Sequence, residues 1–219
     1  MDKIIIFGTG QNADVIYYHL KKYTKYKIVS FCVEKNFLNK KKHFGLPVCV
    51  FEEIEKTYSP KIYKFIAPVS HIKNNNKSVD IYKKIKEKKF KFVNYINPLS
   101  IIDTEDIGEN TIILEQNNIQ PFSKIGNNCL IWSGNHIGHH SIIEDNCFVS
   151  SHVVISGAVK IKKNSYIGVN STIRDNVTIG ENSILGANSL VLKNLSDNTI
   201  MKSNQSKFIS LKKKRNIKI

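Results

Sequence analysis

Three of the seven histidines fall in one short stretch, Ile131-Trp132-Ser133-Gly134-Asn135-His136-Ile137-Gly138-His139-His140-Ser141. Histidine is the side chain most often used to take up and return a proton during a reaction. His139 gains a second feature from its spacing. It lies two residues past Ile137, and Gly157, eighteen residues further on, lies two past Ile155. If the chain returns on itself every eighteen residues, the Gly157 backbone comes to lie beside the His139 side chain. A base next to an exposed backbone N–H suits acyl transfer from a thioester. The base takes the proton from an attacking amine or hydroxyl, and the N–H stabilises the oxyanion of the tetrahedral intermediate.

The elements that would hold this pair are written in the period of the chain. From Ile101 to Val191 an Ile, Leu or Val returns at every sixth residue without a miss. A fixed period of six is the mark of a β-helix, in which each hexapeptide forms one short face of a coil. The aliphatic residues point inward and stack in columns. Three hexapeptides close a triangular coil of eighteen residues, and about five coils follow. Glycines often come directly after the aliphatic residue, as at Gly108, Gly126, Gly138, Gly168, Gly180 and Gly186. Gly and Asn tolerate the left-handed backbone of a tight corner, so these glycines and pairs such as Asn127-Asn128 are expected to turn the corners. Cys129 and Cys147, one coil apart, should stack as packed thiols. No CxxC pair suggests a zinc ribbon or redox motif.

Before the repeat the pattern differs. Lys3–Phe7 is a buried strand, and Val15, Ile16, His19 and Leu20 follow at helical spacing, with His19 simply part of that face. Lys27–Val33, Pro47–Val50, Lys61–Ala67 and Lys91–Ile96 are further strands. Phe51–Ile54 starts a short helix, and about 75–88 forms a Lys-rich helix with Val79, Ile81, Tyr82 and Ile85 on one face. Alternating strands and helices predict a small parallel α/β domain. The expected division is 1–98 for this domain, 99–195 for the β-helix and 196–219 for a basic tail. At the end of the first strand, Gly8-x-Gly10-x-x-Ala13 is a version of the dinucleotide-binding turn, and Glu34 after the second strand stands where a ribose-binding acid would sit. The domain is short for a full dinucleotide fold. Sugar-nucleotide binding, a purely structural role and NAD binding all remain open for it.

The formal charge is +15, which invites a nucleic-acid partner. Yet only Arg174 and Arg215 are arginines, and Arg is the residue best shaped for paired contacts to phosphates and guanine edges. The lysines are scattered apart from Lys40-Lys41-Lys42 and Lys212-Lys213-Lys214-Arg215, so no nucleic acid is expected and the last run is taken as a solvated tail. No stretch approaches twenty apolar residues, and Met1–Gly8 lacks the form of a signal peptide. A cytoplasmic protein is expected.

The repeat, with its histidines and the preceding α/β segment, resembles the hexapeptide-repeat sugar acetyltransferases, of the sialic acid O-acetyltransferase and nucleotide amino-sugar N-acetyltransferase type. The resemblance covers nearly the whole chain and is most specific from Ile131 to Val191. It implies a Rossmann-like α/β domain followed by a left-handed parallel β-helix, assembled as a homotrimer. It implies acetyl-CoA as acyl donor and a nucleotide-linked amino sugar as acceptor, in surface polysaccharide or glycan synthesis. The catalytic histidine of such enzymes falls on His139, with the glycine one coil later at Gly157. The coenzyme A arm would run past Gly157, Gly168, Asn170, Gly186 and Ala187, in a groove between subunits. The α/β domain would bind the sugar nucleotide through Gly8, Gly10, Gln11, Asn12 and Glu34.

This chain departs from the pattern in three places. Many relatives carry an acidic residue directly after the histidine; here it is His140, so His140 is a supporting residue and Glu144, Asp145 or a backbone carbonyl could orient His139. Asn12 stands where some relatives have His. Ser203-Asn204-Gln205-Ser206 replaces a Gly-Asn-Pro-Ala segment. The same β-helix also hosts zinc carbonic anhydrases with three His ligands shared across a trimer. The spacing of His136, His139, His140 and His152 does not match that arrangement, so no metal is expected. O-acetylation of a sialic acid-like sugar and a non-catalytic scaffold are the remaining alternatives.

Overall fold

The computed structural model describes residues 1–69 and 76–203. The basic run Lys212–Arg215 and the segment Asn204-Gln205-Ser206 lie outside the described residues.

The first domain is built on a six-stranded sheet. Its strands are β1 (Lys3–Phe7), β2 (Lys27–Val33), β3 (Lys42–His43), β4 (Leu46–Val50), β5 (Tyr63–Ile66) and β6 (Lys91–Phe92), in the order β3-β4-β2-β1-β5-β6. All neighbours are parallel except the edge strand β3, which runs antiparallel to β4. Successive side chains on a strand face opposite ways, and β1 uses both faces. Ile4 and Ile6 pack with Ala13, Ile16 and Leu20 of helix α1 (Gln11–Tyr23). Ile5 and Phe7 pack on the other side with Ile81 and Ile85 of helix α2 (Asn76–Glu87). A run apolar at every position is thus a strand covered on both faces.

Strand β7 (Tyr95–Ile96) corrects the expected single strand 91–96. Lys91–Phe92 completes the first sheet beside β5, whereas Tyr95–Ile96 pairs with Ile112–Ile113 and opens the β-helix. Asn94 holds the crossing, its side chain donating to the Gly108 carbonyl and accepting from the Thr111 N–H.

The rest of the described chain is a parallel β-helix of triangular section. Two-residue strands stack into three sheets, one running from Tyr95–Ile96 to Ile200–Met201, one from Ile101–Ile102 to Leu190–Val191 and one from Lys124–Ile125 to Thr178–Ile179. Each central strand pairs with the one eighteen residues away, as Ile131 with Val149 and Ile137 with Ile155. The inward column from Ile113 to Val191 is buried. At roughly 1.5–3 kcal/mol for each fully buried aliphatic side chain, this column is the main cohesive term of the domain. Cys129 and Cys147 lie within it, where burial pushes the Cys147 thiol well above its ordinary value.

Two details differ from the period. At the first coil Ile102, not Ile101, packs against the core and pairs with Ile119, and Ile101 is exposed. The opening coil is one residue short, and the apolar Ile101-Ile102 pair hid the slip. The left-handed corner sits two residues later than the glycines suggested, on Asn128 of the Asn127-Asn128 pair and its equivalents. It falls on the third residue past the inward one, at Asn110, Gln116, Phe122, Asn128, Gly134, His140, Asn146, His152, Ala158 and onward. Asn dominates because its short polar side chain tolerates that backbone. Of the glycines directly after an inward residue, none is left-handed. Their cause is proximity: a Cβ on Gly138 would lie 2.6 Å from the Ser156 carbonyl carbon in the next coil.

One corner carries a ladder of asparagine side chains. Asn110 donates to Asn128 at 2.7 Å, Asn128 to Asn146 at 2.9 Å, Asn146 to Asn164 at 3.1 Å and Asn164 to Asn182 at 3.0 Å. Its first rung reaches the α/β domain. Asn110 accepts from the Ala67 N–H at 2.9 Å and donates to the Ala67 carbonyl, while Asn128 donates to Ser78 on α2. Helix α1 meanwhile lies against the sheet that starts at β7, packed on Ile112, Leu114, Leu130 and Phe148. The α/β domain therefore covers one face of the prism and reaches the corners at its two sides.

Candidate functional site

His139 and His140 stand on the remaining corner, between the sheet containing His136–Ile137 and the sheet containing Ile142–Ile143. Both are exposed. The eighteen-residue register brings His139 and Gly157 together. A Cβ built on Gly157 would lie 2.7 Å from His139 Cε1 and 2.8 Å from its Nε2. The imidazole edge thus rests directly over the Gly157 Cα, in space that only glycine leaves open. Gly138 matters in the same way, since a Cβ there would sit 2.7 Å from the Gly157 nitrogen. Among the described residues the Gly157 N–H has no acceptor, while the Gly157 carbonyl accepts from Asn176. Two missing side chains therefore leave one backbone donor open next to one imidazole.

The backbone around the ring is pinned. The His139 N–H donates to the Gln120 side chain at 3.0 Å, and the His139 carbonyl accepts from the Ala158 N–H at 2.8 Å. His139 Nδ1 lies 3.0 Å from His140 Nδ1. Glu144 and Asp145, considered from sequence as orienting groups, stand on the next corner. There Glu144 accepts from the Lys163 N–H and pairs with Lys160, and Asp145 accepts from the Asn127 N–H. His136 points out from its sheet between Asn118 and Val154, and the His152 ring lies against Gly134 on a different corner. Among the described residues no group of three or more His, Cys, Asp or Glu could hold a metal ion.

Gly168, Gly186 and Ala187 stack on one another on the His152 corner, where a Cβ on Gly168 would lie 2.6 Å from the Ala187 nitrogen. Asn170 takes the left-handed position there and donates to Asn188. Within one chain, only Gly157 of the five expected coenzyme residues lies with His139.

The glycine turn forms a second concavity. Gly8 takes a φ of +102° and donates its N–H to the Cys32 carbonyl, which bends the chain off β1 and into α1. Gly8, Gly10, Gln11, Asn12 and Glu34 all line one cavity of about 500 Å³. The N-terminus of α1 opens into it with no side-chain cap at Gly10. Free N–H groups and the helix dipole there favour a phosphate. Glu34 is not a free carboxylate, because Lys77 and Lys84 each reach it at 3.0 Å. Burial pushes its carboxyl up, but hydrogen bonds and charge from the two lysines outweigh this and hold it below its ordinary value. Phe37, Asn39, Val69 and Lys77 line the same cavity. Sequence reasoning missed them because they come from a short 3₁₀ turn, a loop, the segment after β5 and α2, which only the folded sheet gathers.

His19 is more than part of a helix face. It sits at the seam between the domains, with its Nδ1 3.0 Å from the Tyr95 hydroxyl and 3.2 Å from the Asn97 amide, and with Glu115 facing its Nε2 at 3.6 Å. Burial pushes the His19 ring below its ordinary value; Glu115 opposes the shift and Lys22 adds to it.

Residues 122–157 and 158–193 match the family of bacterial transferase hexapeptide repeats (six repeats). No curated protein matches the sequence. Among solved structures, a variant of perosamine N-acetyltransferase from Caulobacter crescentus, in complex with CoA and GDP-perosamine, superposes with a TM-score of 0.81. It is 19% identical, over 93% of this chain and 94% of its own. The acetyltransferase domain of PglB from Neisseria gonorrhoeae, in complex with acetyl coenzyme A, gives 0.79 at 18% identity, over 94% and 98%. WeeI from Acinetobacter baumannii gives 0.78 at 15% identity, over 91% and 96%. Residues 122–193 thus carry the repeat pattern that this family model describes. The chain as a whole has the fold of these proteins, a Rossmann-like α/β domain followed by a left-handed parallel β-helix.

Proposed function

We propose that the protein is an acetyl-CoA-dependent acetyltransferase acting on the amino group of a nucleotide-linked amino sugar. The observation that carries this reading is the His139 imidazole lying over Gly157 beside an unpaired backbone N–H. His139 takes the proton of the attacking amine, the Gly157 N–H binds the oxyanion, and collapse of the tetrahedral intermediate expels the thiolate of coenzyme A. The thiolate then takes the proton from the imidazolium, which returns the base to its starting state. The full-length likeness to perosamine N-acetyltransferase and to the PglB domain, one bound to CoA and GDP-perosamine and the other to acetyl coenzyme A, supports both the donor and the acceptor class. The cavity at the α1 N-terminus suits the phosphates of the nucleotide.

The arrangement of the chain supports a site shared between subunits. His139 stands on the corner that the α/β domain does not reach, so the base and the nucleotide cavity of one chain face different ways. The sheet leading to the His139 corner exposes Val154 and Leu190, whereas the sheet after that corner carries the ion pairs Lys124–Asp106 and Lys160–Glu144. An exposed apolar sheet next to a charged one suits packing between copies, and a homotrimer joins the His139 corner of one copy to the Gly168, Asn170, Gly186 and Ala187 corner of its neighbour. Synthesis of a surface glycan in the cytoplasm goes with this reading. Among the described residues no helix is long and apolar enough to cross a membrane.

The test is thermal shift of the purified protein with acetyl-CoA and a panel of nucleotide sugars, followed by turnover of His139→Ala. A ligand that binds the native state raises the apparent stability by about 2.7 kcal/mol at a hundred times its Kd. Acetyl-CoA and one amino-sugar nucleotide are expected to stabilise the protein, and His139→Ala to abolish turnover while keeping the acetyl-CoA shift. No shift at millimolar acetyl-CoA refutes the reading. Acetylation of the hydroxyl analogue in preference to the amine replaces it with sugar O-acetylation, for which the same base serves.

A further inference from the structure

We propose that His140 is the positioning residue for His139 and that it acts as an uncharged hydrogen-bond acceptor. The inference rests on the reading of His139 as the base. The two Nδ1 atoms are 3.0 Å apart, and between two neutral imidazoles only one of the facing nitrogens carries a hydrogen. When His139 holds it, the Nδ1–H donates to His140 and the His139 Nε2 lone pair is free. That Nε2 belongs to the ring edge lying over Gly157, beside the open N–H. When His140 holds it, the hydrogen of His139 moves to Nε2 and the base is lost. The partner of a catalytic or metal-bound imidazole fixes its tautomer in this way.

The surroundings make His140 the group that can do this. Its backbone is fixed in the left-handed corner position with a φ of 58°, and its N–H donates to the Pro121 carbonyl. Its ring packs on Phe122, with centroids 4.8 Å apart, and stands nearly perpendicular to the His139 ring, at 86°. The nearest acidic residues in sequence, Glu144 and Asp145, are turned to the next corner and bonded there. The consequence is a base supported without a countercharge. When His139 takes the proton of the nucleophile, its Nδ1–H donates to a neutral ring, and the positive charge stays on the pair until the thiolate collects the proton.

The corner position makes the test clean. Asn fills the same left-handed slot at Asn128, Asn146 and Asn164, and Ala occupies it at Ala158, so His140→Asn fits the backbone and His140→Ala can adopt it at the conformational cost of that slot. The Asn Oδ1 hangs from Cγ as the His Nδ1 does, and it can only accept. His140→Ala is expected to lower kcat by about 10–100-fold, the usual cost of removing an imidazole's outer partner, with both KM values near wild type. His140→Asn is expected to return most of that loss. Independently of turnover, ¹⁵N spectra of histidine-labelled protein, recorded at about pH 8.5 with His139→Gln to assign the signal, should show His139 carrying its hydrogen on Nδ1 in the wild type and in His140→Asn. His140→Ala should lose that preference. A wild-type His139 with its hydrogen on Nε2, or a His140→Asn variant no better than His140→Ala, overturns the proposal. If the wild type acetylates nothing, the proposed function falls, and the spectra alone decide the role of His140.

Discussion

Replacing Gly157 by Ala adds one methyl group at the point where the structure is least able to accept it. The new Cβ would meet His139 Cε1 at 2.7 Å and Nε2 at 2.8 Å, whereas carbon atoms rest at about 3.5 Å or more. One partner must retreat by roughly 0.8 Å. The yielding partner is the ring, because it is an exposed side chain while the Gly157 backbone is held in the coil by Asn176. Gly157 does not have a left-handed backbone, so Ala meets no conformational penalty there. Removing a glycine lowers the entropy of the unfolded chain and adds about 0.4–1 kcal/mol of stability. A misplacement near 1 Å at a reacting group can cost about a hundredfold in rate, or about 2.7 kcal/mol of transition-state free energy.

Gly157→Ala is therefore expected to keep or slightly raise its melting temperature and to lower kcat about a hundredfold. Steady-state kinetics beside a thermal melt reads both. A double variant sharpens the test. In His139→Ala the clash no longer exists, so adding Gly157→Ala should cost little more, a non-additivity expected of groups in contact. A Gly157→Ala enzyme with wild-type kcat would refute the reasoning, because the ring could not then rest on Gly157 during turnover. A large fall in melting temperature would also refute it, by showing that the coil yields rather than the ring.

Two further outcomes follow from the seam between the domains. Asn128→Ala removes a donor to Ser78 and Asn146 and an acceptor for Asn110, and puts Ala at a φ of 54°. Buried groups left unpaired cost about 1–3 kcal/mol and the left-handed backbone about 1–2, so urea denaturation should show a loss of about 2–5 kcal/mol; a loss under about 1 kcal/mol would deny the ladder a structural role. The folded His19 ring resists protonation through burial, while the unfolded ring titrates near its ordinary value of about 6.5. The unfolded state therefore takes up more protons as the pH falls below about 6.5, and stability declines from there down to the lowered folded value. His19→Gln should flatten that part of the melting curve against pH, and an unchanged slope would show that His19 does not contribute to it.

The β-helix and the His139–Gly157 pair were legible in the sequence for one reason. In a coil that stacks on itself, residues eighteen apart are neighbours, so the spacing that defines the repeat also places the side chains, and Ile137, His139, Ile155 and Gly157 follow one rule. The α/β domain was legible through its apolar strands and its glycine turn, and Gly8, Gly10, Gln11, Asn12 and Glu34 do line one cavity. The rule failed where the period is broken or silent. Ile101 and Ile102 are both aliphatic, and only the pairing with Ile119 chose between them. The left-handed slot was visible as a column of asparagines, but the glycines drew attention to the wrong position.

What the sequence determined by itself is the part of the protein that depends on local repetition: the coil length, the inward column, and the meeting of one imidazole with one glycine backbone. Tertiary structure decided everything that depends on how unlike surfaces meet. It chose which face of the prism α1 covers, tied Asn110 and Asn128 to Ala67 and Ser78, paired Glu34 with Lys77 and Lys84, and turned His140 rather than an acid toward His139. The physical reason is that a repeat fixes distances along its own axis, whereas docking angles and side-chain rotamers arise from many weak contacts between segments with no common period.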